Sequence, residues 1–299
     1  MGGNTYAGSP ASYVELPMRP GRNRAHDACN GSRSEEEIIV GTAEMQGRLW
    51  GPGARDWSEL NEPSCVPFYE AVLDAIAVRP GTALLDAGCG GGFALQLAAK
   101  RGAAVTGLDA CGPLLDIARE RVPDADLRQG DLESLPFAEH TFDAVTAFNS
   151  IQFASDLLAV MGELRRVARP GAPVAILIWG APERCESRVV LAAIGGLLPP
   201  PPPGAEGPFA LSAPGKLEEL AEKAGLVPER ADEVPTPLIY PDLDTAVRTQ
   251  LSSGPARMAI EYAGEPATRK ALAAAFADSR QPDGSYRQDN VFRYLIARA

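Results

Sequence analysis

Histidine is almost missing from this chain of 299 residues, which has two, His26 and His140. Cysteine is sparse as well: the five thiols, Cys29, Cys65, Cys89, Cys111 and Cys185, form no C-x-x-C pair. An odd number at wide spacing argues against a disulfide framework and against a zinc-ligand pattern, so no metal is expected. No apolar run approaches the ~18 residues of a membrane-spanning helix. Nor does a charged start followed by an apolar block open the chain, as a secretion signal would. The expectation is a cytoplasmic protein with no membrane partner. Positive charge is also in deficit, with 39 acidic against 28 basic residues and a net charge of −11. Such a field repels phosphate backbones, so nucleic acid is not expected as a partner. The one basic cluster, Arg165, Arg166 and Arg169, ends a helical pattern, where the last carbonyls attract cations unaided.

Hydrophobic residues make up 45% of the chain, enough for the core of a complete α/β domain and a modest addition. Residues 1–40, rich in Gly, Ser, Pro and charge without apolar periodicity, read as a disordered arm. An N-terminal helical lid is expected over 41–79. From Leu84 onward short apolar runs ("ALLDAG", "AVTGLD", "DLRQGD", "FDAVTAFN", "APVAILIWG") alternate with amphipathic helical stretches ("ALQLAAKRG", "LLDIARERV", "LLAVMGELRRVA"). Alternation of this kind predicts a parallel sheet wrapped by helices. Five consecutive prolines, Pro199 to Pro203, predict an extended surface linker. Beyond them the pattern predicts a helix at 216–224, a strand at 227–234, a helical stretch at 243–279 and a last strand at "VFRYLIARA". The divisions are then a Rossmann-like domain over 80–240, a helical substrate cap over 241–285, and a final strand of the first domain over 286–299.

The stretch "LLDAGCGGG" carries the chemistry. Asp86, Gly88, Gly90 and Gly92 form D-x-G-x-G-x-G between a strand and a helix. A dinucleotide fingerprint begun at Gly88 needs glycine at position 93, where Phe93 stands, so pyrophosphate is not the natural guest. A tight turn with free N–H groups at the following helix suits an amino-acid-shaped ligand with a carboxylate. Asp109, ending the next strand, is placed to accept ribose hydroxyls. In "GDLESLPF", Asp131 suits an exocyclic adenine amine and the Leu132 N–H a ring nitrogen. Amino acid, ribose and adenine together make S-adenosylmethionine, with S-adenosylhomocysteine as product.

At this point the sequence resembles the class I S-adenosylmethionine-dependent methyltransferases, in particular the bacterial small-molecule group similar to the ubiquinone/menaquinone-biosynthesis type. "LLDAGCGGG", "VTGLDA", "GDLESLPFAEHTFDAV" and "ELRRVARPGAPVAI" carry the resemblance, in that order, over about residues 80–180. It implies a doubly wound, seven-stranded Rossmann-like α/β sheet with its last strand antiparallel, here with a small helical cap inserted before that strand. It also implies that Asp86 and the glycines, with Cys89, hold the methionine end. Asp109 and Ala110 would hold the ribose, Asp131 and Leu132 the adenine, and Asn149 lies close to the cofactor.

The strand "FDAVTAFNS" ends where the switch-point rule places a reacting group, so Asn149, Ser150 and Gln152 are candidate contacts. Asp143 in the same stretch reads as a turn residue. "NSIQ" lacks the N-P-P-aromatic run found in relatives that methylate nucleobase amines. Trp50 and Trp57 read either as a lid over the cofactor or as plain docking of a helix to the core. Tyr240, Tyr262 and Tyr286 are candidate phenols, and Tyr240, Gln152 and Asn149 are the candidate catalytic groups. Trp179 and Glu183 border the mouth of the site. Met258, Ile260, Tyr262 and Phe276 are candidate lining of an apolar pocket. Neither histidine stands where a base is wanted, which favours C- or N-methylation over O-methylation of a small aromatic or hydrophobic metabolite, as in natural-product tailoring. Other readings are the same fold using the cofactor for non-methyl-transfer chemistry such as cyclisation, a nicotinamide oxidoreductase, and a non-catalytic binding module. Oligomeric state is not legible, although an arm of this length permits exchange within a homodimer.

Overall fold

A computed structural model describes residues 41–200 and 207–299. The expected disordered arm, with His26 and Cys29, lies outside the described residues, as does the centre of the proline run. Five strands run parallel: β1 (Ala83–Ala87), β2 (Ala104–Asp109), β3 (Asp126–Gln129), β4 (Ala144–Phe148) and β5 (Pro173–Trp179). Next in the chain come β6 (Val227–Pro235), a short β7 (Leu238–Tyr240), a short β8 (Tyr286–Gln288) and β9 (Val291–Arg298). The main sheet has the order β3-β2-β1-β4-β5-β9-β6, with β9 antiparallel to both its neighbours. The expected seven strands and the antiparallel last strand are therefore present.

Burial follows position in the sheet. Every residue of β4 is buried, because helices cover both faces there and leave no polar side. Edge strand β6, with its exposed charges, a bulge between Pro228 and Arg230 and a proline at its end, resists pairing with another chain. Two apolar layers flank the sheet. One holds Leu85, Val145, Met161, Leu164 and Ile176, and the other Phe68, Val72, Leu84, Leu95, Leu177 and Phe292.

A helix at Ala43–Trp50 lies within the segment expected as a helical lid, whereas a second helix, Arg188–Gly195 after β5, was not foreseen. The expected single helical stretch before the last strand is three helices, Leu243–Leu251, Gly254–Ala263 and Glu265–Ala275, each started by Pro or by an Asp or Ser cap. Boundaries shift accordingly. Strands β7 and β8 pair with each other rather than with the main sheet, and Leu238, Tyr240 and Tyr286 pack into one cluster with Val190, Ile194, Val247, Leu272 and Phe276. The added body thus runs from Leu238 to Gln288 and takes in helix Arg188–Gly195, in place of the expected 241–285.

Candidate functional site

Strand order reverses between β1 and β4, and the crevice at their carboxyl ends is where an open α/β sheet binds ligands. The glycine loop leaves β1 there, with Gly88, Gly90 and Gly92 all at positive φ (81°, 55° and 77°), a conformation that side chains avoid. Close approach adds a second demand: a Cβ at Gly92 would stand 2.9 Å from the Ala118 methyl. Strand β4 ends at Asn149, also left-handed at φ 50°, a strained position for a residue with a side chain. Ser150 locks the two strand ends together by donating to the Ala87 carbonyl at 2.7 Å.

The glycine loop's own N–H groups, as distinct from those of the following helix, are engaged within the protein. Gly88 and Cys89 both donate to the Leu108 carbonyl, at 2.7 and 3.0 Å, and Gly92 donates to Cys89. Gly90 N donates to Asp109 Oδ2 at 2.8 Å, and Gly91 N donates to Glu62 Oε1 at 2.8 Å. Every N–H from Gly88 to Gly92 therefore has a protein acceptor. Spacing alone shows which residues form the loop but not which distant side chains reach into it.

Three carboxylates surround this loop. Asp86 is buried and accepts from Thr146 Oγ1 at 2.8 Å. Burial pushes its pKa up to about 7, with the Thr146 hydroxyl opposing and the Asp109 and Glu62 charges adding to the rise. Asp109 also accepts from Cys111 N at 2.8 Å, and desolvation raises it against those backbone bonds. Glu62 is the residue that sequence reasoning missed. It is buried, raised by desolvation, and held by the Arg121 guanidinium. Arg121 further donates to the Gly91 carbonyl at 2.8 Å and the Ser58 carbonyl at 2.6 Å, tying the N-terminal segment to the loop. An acid before a proline in "LNEPSC", outside any apolar pattern, carries no signal of this in one sequence.

Beyond Asp109 a cleft of about 620 Å³ is lined by Gly47, Arg48, Ala110, Pro113, Gln129 and Asp131. Helix Ala43–Trp50 forms its roof, approaching so closely that a Cβ at Gly47 would lie 2.6 Å from the Ala110 carbonyl. Trp50 and Trp57 pack edge to face at 4.7 Å against Cys111, Leu114 and Ile117, and Trp50 also meets Phe153. Both aromatic residues thus dock the lid to the core.

The other candidates divide. Gln152 Nε2 donates to Asn149 O at 2.8 Å and to Asn149 Oδ1 at 2.9 Å, while Gln152 Oε1 is buried without a partner. Held this way, the pair presents the Asn149 amide N–H groups as donors and Gln152 Oε1 as an acceptor. Trp179 stacks on Phe292 at 4.4 Å and borders the same end of the sheet. Tyr240 is buried in the added body, its hydroxyl accepting from Gln250 at 3.2 Å and its ionisation pushed up by burial. That makes it a packing residue rather than the expected catalytic phenol. Tyr262 is 58% exposed, so it lines nothing. Met258 and Ile260 are half-buried outside the apolar cluster of that body, whereas Phe276 and Tyr286 lie inside it. Glu183 is exposed. Asp143 accepts from Ala83 N and pairs with Arg169 at the amino ends of the central strands, opposite the crevice, as a turn residue should. His140, the one histidine among the described residues, sits at that same remote amino end of the sheet against the Ala168 carbonyl.

Residues 85–176 match the methyltransferase-domain family model. Over that stretch, about a third of the chain, the protein carries a methyltransferase domain. It is 38% identical over 105 residues to a malonyl-(acyl-carrier protein) O-methyltransferase of Serratia marcescens, covering 35% of this chain and 41% of that protein. It is 32% identical over 111 residues to a demethylmenaquinone methyltransferase of Renibacterium salmoninarum, covering 37% and 47%. The matched region spans about half or less of these relatives' length. A solved putative methyltransferase from Bacillus halodurans shares the fold at 16% identity and TM-score 0.54, covering 77% of this chain and 97% of that one. A solved cyclase shares it at 21% identity and TM-score 0.50, covering 77% and 80%. S-adenosylmethionine is the cofactor of this domain type. The residues present fit it: a glycine turn beside carboxylates suits an amino-acid end that carries a cation, and the roofed cleft next to Asp109 has room for a nucleoside.

Proposed function

We propose that the protein transfers a methyl group from S-adenosylmethionine to a small aromatic or hydrophobic metabolite. The observation that carries this reading is the convergence of the glycine loop, Asp109 and the cleft beside Asp131 on the switch-point crevice. In this proposal Asp86, Gly88, Cys89, Gly90 and Gly92 cradle the methionine end. Asp109 and Ala110 take the ribose, and Asp131 and the Leu132 N–H take the adenine. When bound, the cofactor supplies an electrophilic methyl group on a sulfonium. What remains for the chain is positioning and exclusion of water. Helix Ala43–Trp50 covers the nucleoside, and Trp50, Trp57 and Phe153 seal the lid. The Asn149 and Gln152 amides, at the end of β4, orient the acceptor through one donor and one acceptor. Trp179 and the segment around Met258 supply apolar lining.

Among the described residues neither His140 nor the candidate phenol Tyr240 faces the crevice as a base for a neutral hydroxyl, and this guides the choice of acceptor atom. With His140 at the amino ends of the strands, away from the crevice, and Tyr240 locked in a core, an acceptor that is already nucleophilic suits the site. Carbon and nitrogen are favoured on this ground, together with an oxygen that arrives ionised, such as a carboxylate. The relative named for malonyl-(acyl-carrier protein) is an O-methyltransferase, which speaks for oxygen and against carbon or nitrogen, whereas the name of the demethylmenaquinone relative gives no atom. The test is a release assay for S-adenosylhomocysteine with S-adenosylmethionine and a panel of amines, electron-rich rings, carboxylates and phenols. Turnover with one of the first three classes is expected. Conversion of an acceptor without S-adenosylhomocysteine would mean that the cofactor serves another chemistry.

The lid role has its own test. Glycine to alanine in a helix ordinarily stabilises by about 0.5–1 kcal/mol, but Gly47→Ala meets the Ala110 carbonyl. Overpacking of this kind costs about 1–3 kcal/mol. Cofactor affinity measured by calorimetry should therefore fall about tenfold or more in Gly47→Ala. An unchanged affinity would show that the helix does not close over the ligand.

A further inference from the structure

Glu62 is not explained by packing. Its carboxylate comes from the lid, is buried, and meets the glycine loop at Gly91 N, with Gly90 so close that a Cβ there would lie 3.0 Å from Oε1. Burying an acid costs several kcal/mol unless it is paired, and the Arg121 pair offsets that cost for one carboxylate. Asp86 and Asp109 share the same surroundings, so three acids face one guanidinium around the loop. Because the loop's own N–H groups are all taken, what it offers a ligand is negative: carboxylate oxygens and carbonyls. Ser58 adds a separate observation. It is fully buried and its hydroxyl stands against Gly91 beside the Glu62 carboxylate, with no well-formed hydrogen bond to any other group among the described residues. A buried hydroxyl so weakly engaged calls for an explanation.

We propose that Glu62, assisted by Ser58, binds the α-ammonium group of the cofactor's amino-acid end, so that the lid itself reads that group. The inference rests on the S-adenosylmethionine reading given above. The lid carboxylate then has two functions. It fastens the segment Trp57–Cys65 to the glycine loop, and it selects nucleosides that carry an amino acid over those that do not. Arg121 opposes the burial that favours the acid form and aims the carboxylate.

Two uncharged thioethers separate the idea from its alternatives. S-adenosylhomocysteine has the amino-acid end, and 5′-methylthioadenosine has the nucleoside and sulfur without it. Affinities of both are measured by calorimetry on the wild type, on Glu62→Gln and on Glu62→Asp, with thermal unfolding run in parallel. In Glu62→Gln the first ligand is expected to weaken at least about tenfold, as loss of a charge-assisted bond implies. The second should stay within about twofold. If Glu62→Gln does not fold, Glu62→Asp keeps a charge for Arg121 while withdrawing the acid by one methylene, and the ratio of the two affinities should still fall. An equal loss for both ligands would reduce Glu62 to a latch and overturn the proposal. So would an unchanged ratio, or a gain for S-adenosylhomocysteine, which would place its carboxylate against Glu62. A wild type that binds neither ligand overturns the cofactor reading instead, and is thereby distinguished.

Discussion

Asp109→Ala is expected to lower affinity for S-adenosylmethionine by two orders of magnitude or more. The wild-type carboxylate already organises the site, since Oδ2 accepts from Gly90 N and Oδ1 from Cys111 N, both at 2.8 Å. Each oxygen keeps a lone pair for a ribose hydroxyl. Hydrogen bonds to a charged group contribute about 1.5–3 kcal/mol each, so losing two costs about 3–6 kcal/mol. At about 1.4 kcal/mol per tenfold, that is between 10² and 10⁴ in the dissociation constant. Alanine also strips the acceptors from two backbone N–H groups, which loosens the glycine loop. Asp109→Asn keeps one side-chain acceptor and should fall between alanine and wild type. Calorimetric titration of the three proteins decides the matter. If the alanine variant binds within tenfold of wild type, the ribose is held elsewhere.

The fold was legible because its signals are local. The strands β1, β2, β4 and β5 are short, largely apolar runs separated by helical periodicity, and the D-x-G-x-G-x-G turn needs its glycines for φ values that neighbouring residues do not alter. The site was legible where the chain itself forms it. Asp86 and Asp109 end strands, so their position follows from the strands. It failed where distant segments meet. Glu62 reaches Gly91 across 29 positions, and Arg121 reaches Glu62 across 59. A single sequence carries no pairing information at that range. The added body misled for a different reason. Aromatic residues in a cap suit a pocket and a core equally well, and Tyr240 and Phe276 went to the core, packed against each other at 5.5 Å, while Tyr262 went to solvent. Composition does not separate those outcomes, because the packing of β7 and the helices within the body decides them.

Asp86→Asn should separate stability from binding more widely than any other single change. Asp86 is almost fully buried and has one hydrogen-bond donor, the Thr146 hydroxyl, so its acid form is favoured and its pKa stands at about 7 against an ordinary 3.8. Between those two values the folded protein holds a proton that the unfolded chain has released. Stability must therefore fall as pH rises from about 4 through about 7, and level off above. Three pKa units at about 1.36 kcal/mol each set the scale at roughly 4 kcal/mol. Asp109 and Glu62, also raised by burial, add a slope of the same sign. Asparagine cannot ionise and still accepts from Thr146. Urea unfolding of the ligand-free variant at pH 8 should then show it more stable than wild type by a few kcal/mol, with the difference vanishing near pH 5. Cofactor binding should move the opposite way. Wild-type affinity is expected to tighten between pH 6 and pH 8, as the acid that faces the cationic ligand ionises, whereas Asp86→Asn should bind weakly and without that pH dependence. Equal stability of the two proteins at pH 8 would mean that Asp86 is ionised at no cost. In that case the negative charge collected around the glycine loop is balanced by groups other than the ligand.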